Sequence, residues 1–184
     1  MYRYIYILIA HNLYIYIYLS APGQNLFYST HYCNKLISLI MSPLPVIVCG
    51  GTNPQVFDAI KPLYLPEYEV IYKVTGSASG AVEIPLLLQE QAPSIGEEPN
   101  GGTMNYSKPP VAVFAGALYG DEEIDEMRQA CQGLSSVPWL KMDMSVPKPP
   151  LGPGYAEHVA QRVKACMKKI EAEGKLEQDG VWLY

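Results

Sequence analysis

The chain has few of the residues from which metal and disulfide sites are built. It contains three histidines and four cysteines, and one of those cysteines, Cys33, lies in an unusual amino-terminal segment. The other three, Cys49, Cys131 and Cys166, are far apart in sequence, so they form no CxxC pair and no Cys/His spacing typical of zinc. Their odd number argues against a disulfide framework. We therefore expect no metal site and a cytoplasmic location.

The chain also lacks an excess of positive charge. It has 13 Lys and Arg residues against 18 Asp and Glu residues, which gives a formal net charge of -5 at pH 7. Such a balance is unfavourable for binding the phosphate backbone of nucleic acids or an anionic membrane surface. We expect neither as the main partner.

Residues 1–40 contain no acidic residue, and alternating Tyr and Ile recur at Tyr4–Ile7 and Tyr14–Ile17. Three interpretations are open. The segment is an upstream extension, disordered or spurious, since a TATATA repeat in DNA encodes alternating Tyr and Ile. It is a targeting or membrane segment, although His11-Asn12 interrupts it. Or it is a genuine β-forming element. We favour the first interpretation and place one domain at 41–184. We expect a membrane partner only if the second interpretation, a targeting or membrane segment, holds.

From Met41 onward, apolar strands alternate with helices. Strands are predicted at 46–50, 68–75, 111–118 and 138–143, with a short last strand at 180–184. Helices are predicted from Asn53 to Pro62, at 76–92, at 121–134 and at 155–174. For the second of these helices, a start only at Pro85 is the alternative. Strands separated by helices are typical of βαβ units with right-handed crossovers. We therefore predict a doubly wound, three-layer α/β sandwich, Rossmann-like, with a mostly parallel sheet of four or five strands in the order 2-1-3-4.

The loop after the first predicted strand, "CGGTNPQV", has the composition of a phosphate-binding turn. Glycines precede a helix start that carries no acidic residue, which suits an anion. Through Gly50, Gly51 and Thr52 it resembles the opening of NAD(P)-binding Rossmann proteins of the NmrA-like or atypical short-chain dehydrogenase type, which have a Gly-x-Thr-Gly-x-x-Gly turn. Asn53 and Val56 stand where that family has its next two glycines. The resemblance covers this βα unit and implies cofactor binding by residues 50–53; an ordinary tight turn explains the glycines equally well.

The loop after the second predicted strand, "VTGSASGA", lacks the acidic residue that holds a ribose 2′-hydroxyl in many dinucleotide sites. Lys73, Thr75, Ser77 and Ser79 offer a cation and hydroxyls instead. That composition suits a phosphate, such as the 2′-phosphate of NADP. We predict these four residues as further cofactor contacts, with a flexible glycine-serine turn as the alternative.

The two later loops differ from these. After the third strand, the run "DEEIDE" fills a helix start with negative charge, which excludes an anion there. After the fourth strand come Asp143, Tyr155 and His158, the candidate catalytic residues. Simple structural roles explain them as well, since Asp143 can cap a turn and His158 can lie at a solvated helix edge.

The predicted function is that of a small Rossmann-like protein that binds NAD(P) or another phosphorylated small molecule. The binding loops would be Gly50–Asn53 and Thr75–Ser79, and the partner would be an anionic small molecule. Two alternatives are open. One is a non-catalytic interaction or regulatory module that uses the Pro- and Gly-rich loop at 93–110. The other is a cofactor-free isomerase or lyase. Neither the substrate nor the oligomeric state follows from the sequence.

Overall fold

The computed structural model describes residues 4–9, 13–18, 42–94, 100–134, 136–152 and 154–184. Its contacts divide the chain into two units, Met1–Ser42 and Pro43–Tyr184. In the first unit, strands β1 (Tyr4–Ile9) and β2 (Leu13–Tyr18) pair antiparallel. The rest of residues 1–40 lies outside the described residues, so the interpretation of this segment as disordered or spurious stays a prediction. In the described ranges, no helix is long and apolar enough to cross a membrane.

The second unit alternates strands and helices along the chain. Its elements are β3 (Leu44–Cys49), α1 (Pro54–Ile60), a 3₁₀ helix (Lys61–Tyr64), β4 (Tyr68–Val74), α2 (Ser77–Leu88), β5 (Val113–Ala115), α3 (Asp121–Ala130), β6 (Pro138–Lys141), α4 (Tyr155–Ala172) and β7 (Gly180–Leu183). The five strands form one parallel sheet in the order β4-β3-β5-β6-β7. Counted within this unit, the order is 2-1-3-4-5. The predicted fold class is confirmed, and residues 180–183 form the fifth strand.

Different helices cover the two faces of this sheet. Side chains from α1, the 3₁₀ helix and α4 pack with Val46, Phe114 and Leu140 on one face. Side chains from α2 and α3 pack with Ile47 and Val113 on the other. Strands buried on both faces read as continuous apolar runs, which is why the sequence pattern predicted them.

Helix α2 runs through Pro85 and does not begin there. Proline inside a helix removes one backbone hydrogen bond and crowds the preceding turn. Burial on either side of it opposes that cost, because Ile84 and Leu87 are in the core. The helix also crosses α3 closely at Gly80, where a Cβ atom would lie 2.4 Å from Sδ of Met127. Tertiary packing therefore decides the start of this helix.

Part of the predicted loop at 93–110 covers the outer edge of β4. The Asn100 side chain accepts a hydrogen bond from the Lys73 amide and donates one to the Lys73 carbonyl, both at 2.6 Å. Further on, the amides of Thr103 and Met104 donate to the carbonyls of Val70 and Ile71 at 3.0 Å. Residues 95–99 lie outside the described residues. The described part of the loop thus protects a sheet edge, which would otherwise present unpaired backbone groups.

Candidate functional site

A cavity of about 520 Å³ opens at the carboxyl edge of the sheet, where β3 and β5 are neighbours. Its walls come from the loops after β3, β5 and β6, from α1 and the 3₁₀ helix, and from the start of α4. The connections from β3 and β5 run to opposite sides of the sheet, so this is the switch point at which doubly wound proteins bind ligands. The volume falls within the usual range for small-molecule sites, roughly 300–1,000 Å³.

The first loop contributes three of its four predicted residues to this cavity. Gly50, Gly51 and Asn53 line it, whereas Thr52 is exposed and lies outside the lining. Asn53 also begins α1, since its Oδ1 accepts a hydrogen bond from the Gln55 amide at 3.0 Å. A Cβ atom on Gly51 would lie 2.8 Å from Cδ1 of Leu118, so this glycine lets the first and third loops approach each other.

Among the described residues, two lysines supply the positive charge of the cavity lining. Lys61 begins the 3₁₀ helix, and its ammonium donates to the carbonyl of Gly101 at 2.6 Å. An ammonium has three N–H donors, so two remain for a ligand. Lys148 comes from the loop after β6, and no Asp or Glu belongs to the described residues that line the cavity. An anion here would meet attraction without carboxylate repulsion.

Three tyrosines also line the cavity: Tyr64, Tyr155 and Tyr184. The Tyr184 hydroxyl donates to the carbonyl of Ala115 at 3.1 Å. By contrast, the hydroxyls of Tyr64 and Tyr155 form no hydrogen bond with any residue in the described ranges, although Tyr64 is only 3% exposed. Burial raises the pKa of Tyr64 well above its ordinary value, and nearby Tyr184 and Tyr155 add to the effect. Tyr64 is therefore a neutral hydroxyl at physiological pH.

The predicted residues of the second loop lie outside the cavity lining. Thr75 is exposed, Ser77 begins α2, and the Ser79 Oγ donates to the carbonyl of Gly76 at 3.1 Å. Lys73 lies next to the cavity wall, because its Nζ is 4.9 Å from the ring centroid of Phe57, which lines the cavity. Binding of a cofactor by these four residues stays a prediction.

A single hydroxyl ties the first, second and third loops together. The Tyr119 Oη accepts a hydrogen bond from the Gly76 amide at 2.8 Å and lies 3.2 Å and 3.3 Å from the carbonyl oxygens of Val74 and Gly50. Tyr119 itself is 6% exposed, and burial is the main cause that raises its pKa to about 12. It stays protonated at neutral pH and holds the ends of β3 and β4 in place.

The three candidate catalytic residues have different surroundings. Tyr155 lines the cavity. Asp143 accepts hydrogen bonds from the Ser145 hydroxyl at 2.6 Å and amide at 2.9 Å, which lower its pKa. His158 has a buried Nε2 without a hydrogen-bond partner among the described residues, but it is not part of the cavity lining. Asp143 thus closes its own turn, as the simpler interpretation predicted; a catalytic role for any of the three stays a hypothesis.

Sequence reasoning assigned no role to four side chains that define the cavity or its support: Lys61, Tyr64, Lys148 and Tyr119. One signal was present in the sequence. Lys61 and Tyr64 flank Pro62 at a spacing of three, and a 3₁₀ helix has three residues per turn, so such residues share a face. The other two depend on contacts between distant segments and have no local pattern.

Fold and cavity together define a doubly wound, parallel α/β protein with an amphipathic cavity at the switch point of its sheet. The chain is 34% identical over 142 residues to Kojic acid related protein 6 of Aspergillus oryzae (strain ATCC 42149 / RIB 40), and the match covers 75% of this chain and 84% of that protein. The chain therefore belongs to the same family as Kojic acid related protein 6. No family model matches the chain, and no solved structure matches it. The resemblance to NmrA-like proteins stays a prediction.

Proposed function

We propose that this protein binds a phosphorylated or otherwise anionic small molecule in the cavity, with Gly50, Gly51 and Asn53 at one wall. One observation carries the proposal: a cavity at the switch point contains two lysines and no carboxylate among its described lining residues. Ligand sites are mostly apolar with a few polar groups that fix orientation. Lys61 and Lys148 are those groups, and each supplies charge-assisted hydrogen bonds to an anion.

NADP is one candidate ligand. Its nicotinamide or pyrophosphate portion would occupy the cavity, and the 2′-phosphate would extend toward Lys73, Thr75, Ser77 and Ser79. The position of Lys73 beside Phe57, at the cavity wall, supports this arrangement.

We also propose that the protein is cytoplasmic. The free thiols of Cys49, Cys131 and Cys166 support this location, because reducing compartments keep such thiols unpaired.

Kojic acid is a second probe. The name of the relative from Aspergillus oryzae connects that protein with kojic acid. Kojic acid is a compact, oxygen-substituted ring, and a cavity of about 520 Å³ has room for it. It therefore belongs in the same set of titrations as the nucleotides.

Calorimetric titration with NADPH, NADH, inorganic phosphate and kojic acid tests the proposal. Lys61→Met and Lys148→Met should each weaken binding of an anion roughly tenfold or more, since a hydrogen bond to a charged group contributes about 1.5–3 kcal/mol. Lys168→Met is the matched control, because Lys168 is exposed and lies outside the lining. Lys73→Ala should weaken NADPH more than NADH. The proposal fails if none of NADPH, NADH and inorganic phosphate binds at millimolar concentration, or if the two lysine variants behave like the control.

A further inference from the structure

The cavity has a second polar feature that an anion alone does not use. Tyr64 is almost fully buried, and its hydroxyl has no hydrogen-bond partner in the described part of the chain. Buried hydroxyls usually find a partner, and one that faces a cavity without a partner is a group that a ligand can satisfy. The Tyr184 hydroxyl in the same cavity is bonded to Ala115 and is therefore not available in this way.

The positions of Lys61 and Tyr64 limit the shape of that ligand. They are the first and last residues of one 3₁₀ turn, so their side chains leave the same face. The rise along a 3₁₀ helix is about 2 Å per residue, which separates their Cα atoms by about 6 Å along the axis. Two side chains that begin this far apart on one face can contact opposite ends of one compact ligand, such as a six-membered ring with substituents at opposite ends.

The cavity that these two residues line has several aromatic side chains. Phe57, Phe114 and Tyr155 line the cavity together with Tyr64, and the rings of Tyr64 and Phe114 have centroids 5.4 Å apart. Aromatic side chains favour offset or tilted contact with another ring. A flat ring fits this lining better than a polyhydroxylated chain does, because a chain would leave hydroxyls facing apolar atoms without partners.

We infer that the ligand is a planar six-membered ring that carries an anionic group at one end, held by Lys61, and a hydrogen-bonding oxygen at the opposite end, held by the Tyr64 hydroxyl. This inference rests on the proposed function, since it names the chemical class that the same cavity selects. Tyr64 is then a residue that determines specificity, and Lys61 is the anion partner.

Titration of the full chain with 4-hydroxybenzoate, benzoate and 4-methylbenzoate tests this inference. The methyl group has about the size of the hydroxyl but forms no hydrogen bond. The unmodified protein should bind 4-hydroxybenzoate roughly three- to tenfold more tightly than either of the other two, as expected for one neutral hydrogen bond. Tyr64→Phe should abolish that difference and leave benzoate binding unchanged. Tyr106→Phe, which removes a hydroxyl outside the cavity lining, should preserve it.

Several outcomes would overturn the inference. One is equal affinity for the three acids in the unmodified protein, a comparison that holds even if Tyr64→Phe does not fold. Another is an equal loss of benzoate and 4-hydroxybenzoate affinity in a folded Tyr64→Phe variant. If glycerol 3-phosphate or NADPH binds with dependence on Lys61 while none of the ring acids binds, the inference is wrong and the proposed function stands. If no anion binds at all, both are wrong.

Discussion

Replacing Tyr119 by Phe removes a hydroxyl that joins the first three loops at the carboxyl edge of the sheet. The phenylalanine ring keeps the packing of a side chain that is 6% exposed, so the change acts on the hydrogen bonds and not on the core volume. It leaves the Gly76 amide without its partner at 2.8 Å, and the carbonyls of Val74 and Gly50 lose a donor.

The size of this effect follows from the burial of those backbone groups. A partly buried amide that loses its partner costs about 1–3 kcal/mol, unless water replaces the hydroxyl. A loss of about 2 kcal/mol in the free energy of unfolding lowers the melting temperature of a unit of this size by roughly 4–10 °C. We expect Tyr119→Phe to fall in that range, and we expect faster hydrogen exchange at the Gly76 amide.

Tyr106→Phe provides a matched control. Its hydroxyl is also buried, but it has no hydrogen-bond partner among the described residues. Removing an unsatisfied hydroxyl is neutral or stabilising, so the melting temperature of Tyr106→Phe should equal or exceed that of the unmodified protein. Thermal unfolding followed by circular dichroism compares the two variants. If Tyr119→Phe melts at the same temperature as Tyr106→Phe, the hydroxyl does not hold the loops together and the reasoning is refuted.

Two further predictions concern the sheet edge and the buried tyrosines. Asn100→Ala should lower the free energy of unfolding, measured in urea, by about 1–2 kcal/mol, because both hydrogen bonds to the Lys73 backbone are lost. Asn105→Ala, at an exposed position, should lower it less. Equal losses in the two variants would contradict the protection of the sheet edge by Asn100. Burial raises the pKa values of Tyr68 and Tyr119 to about 12, above the ordinary value of about 10. Stability should be fully present below pH 10 and decline between pH 10 and 12, because the unfolded chain releases these protons first; a constant urea midpoint across that interval would contradict the assignment.

The fold could be predicted from sequence because its strands are buried on both faces. Runs such as those around Ile47 and Val113 are apolar without interruption, and that pattern separates a parallel sheet from a half-exposed antiparallel one. The start of α2 could not be predicted, since local rules end a helix near Pro85 while burial of Ile84 and Leu87 extends it. A local pattern reports propensity, whereas tertiary packing decides the boundary.

The candidate site could be predicted only in part, and the reason is similar. Gly50 and Asn53 were accessible to prediction because a strand, a tight turn and a helix cap are local features. Tyr119 contacts residues more than 40 positions away, and its role depends on the order of strands in the sheet. Lys148 reaches the cavity from a loop with no regular period. Side chains supplied by different crossovers meet only after the fold exists.

The hydrogen bonds at the carboxyl edge distinguish its two sides. On the side of the second loop, the Gly76 amide is bonded to Tyr119, and the Ser79 hydroxyl is bonded to Gly76. On the side of the 3₁₀ helix, the Tyr64 hydroxyl has no partner among the described residues, and Lys61 keeps two donors beyond its bond to Gly101. A compact ligand on this second side displaces no hydrogen bond between protein groups. A dinucleotide phosphate that used the Gly76 amide would first have to break the hydrogen bond between this amide and Tyr119, at a cost of about 1–3 kcal/mol. Contacts of the phosphate with Lys73 and its neighbouring hydroxyls would have to offset that cost. Without them, the cavity favours the compact ligand.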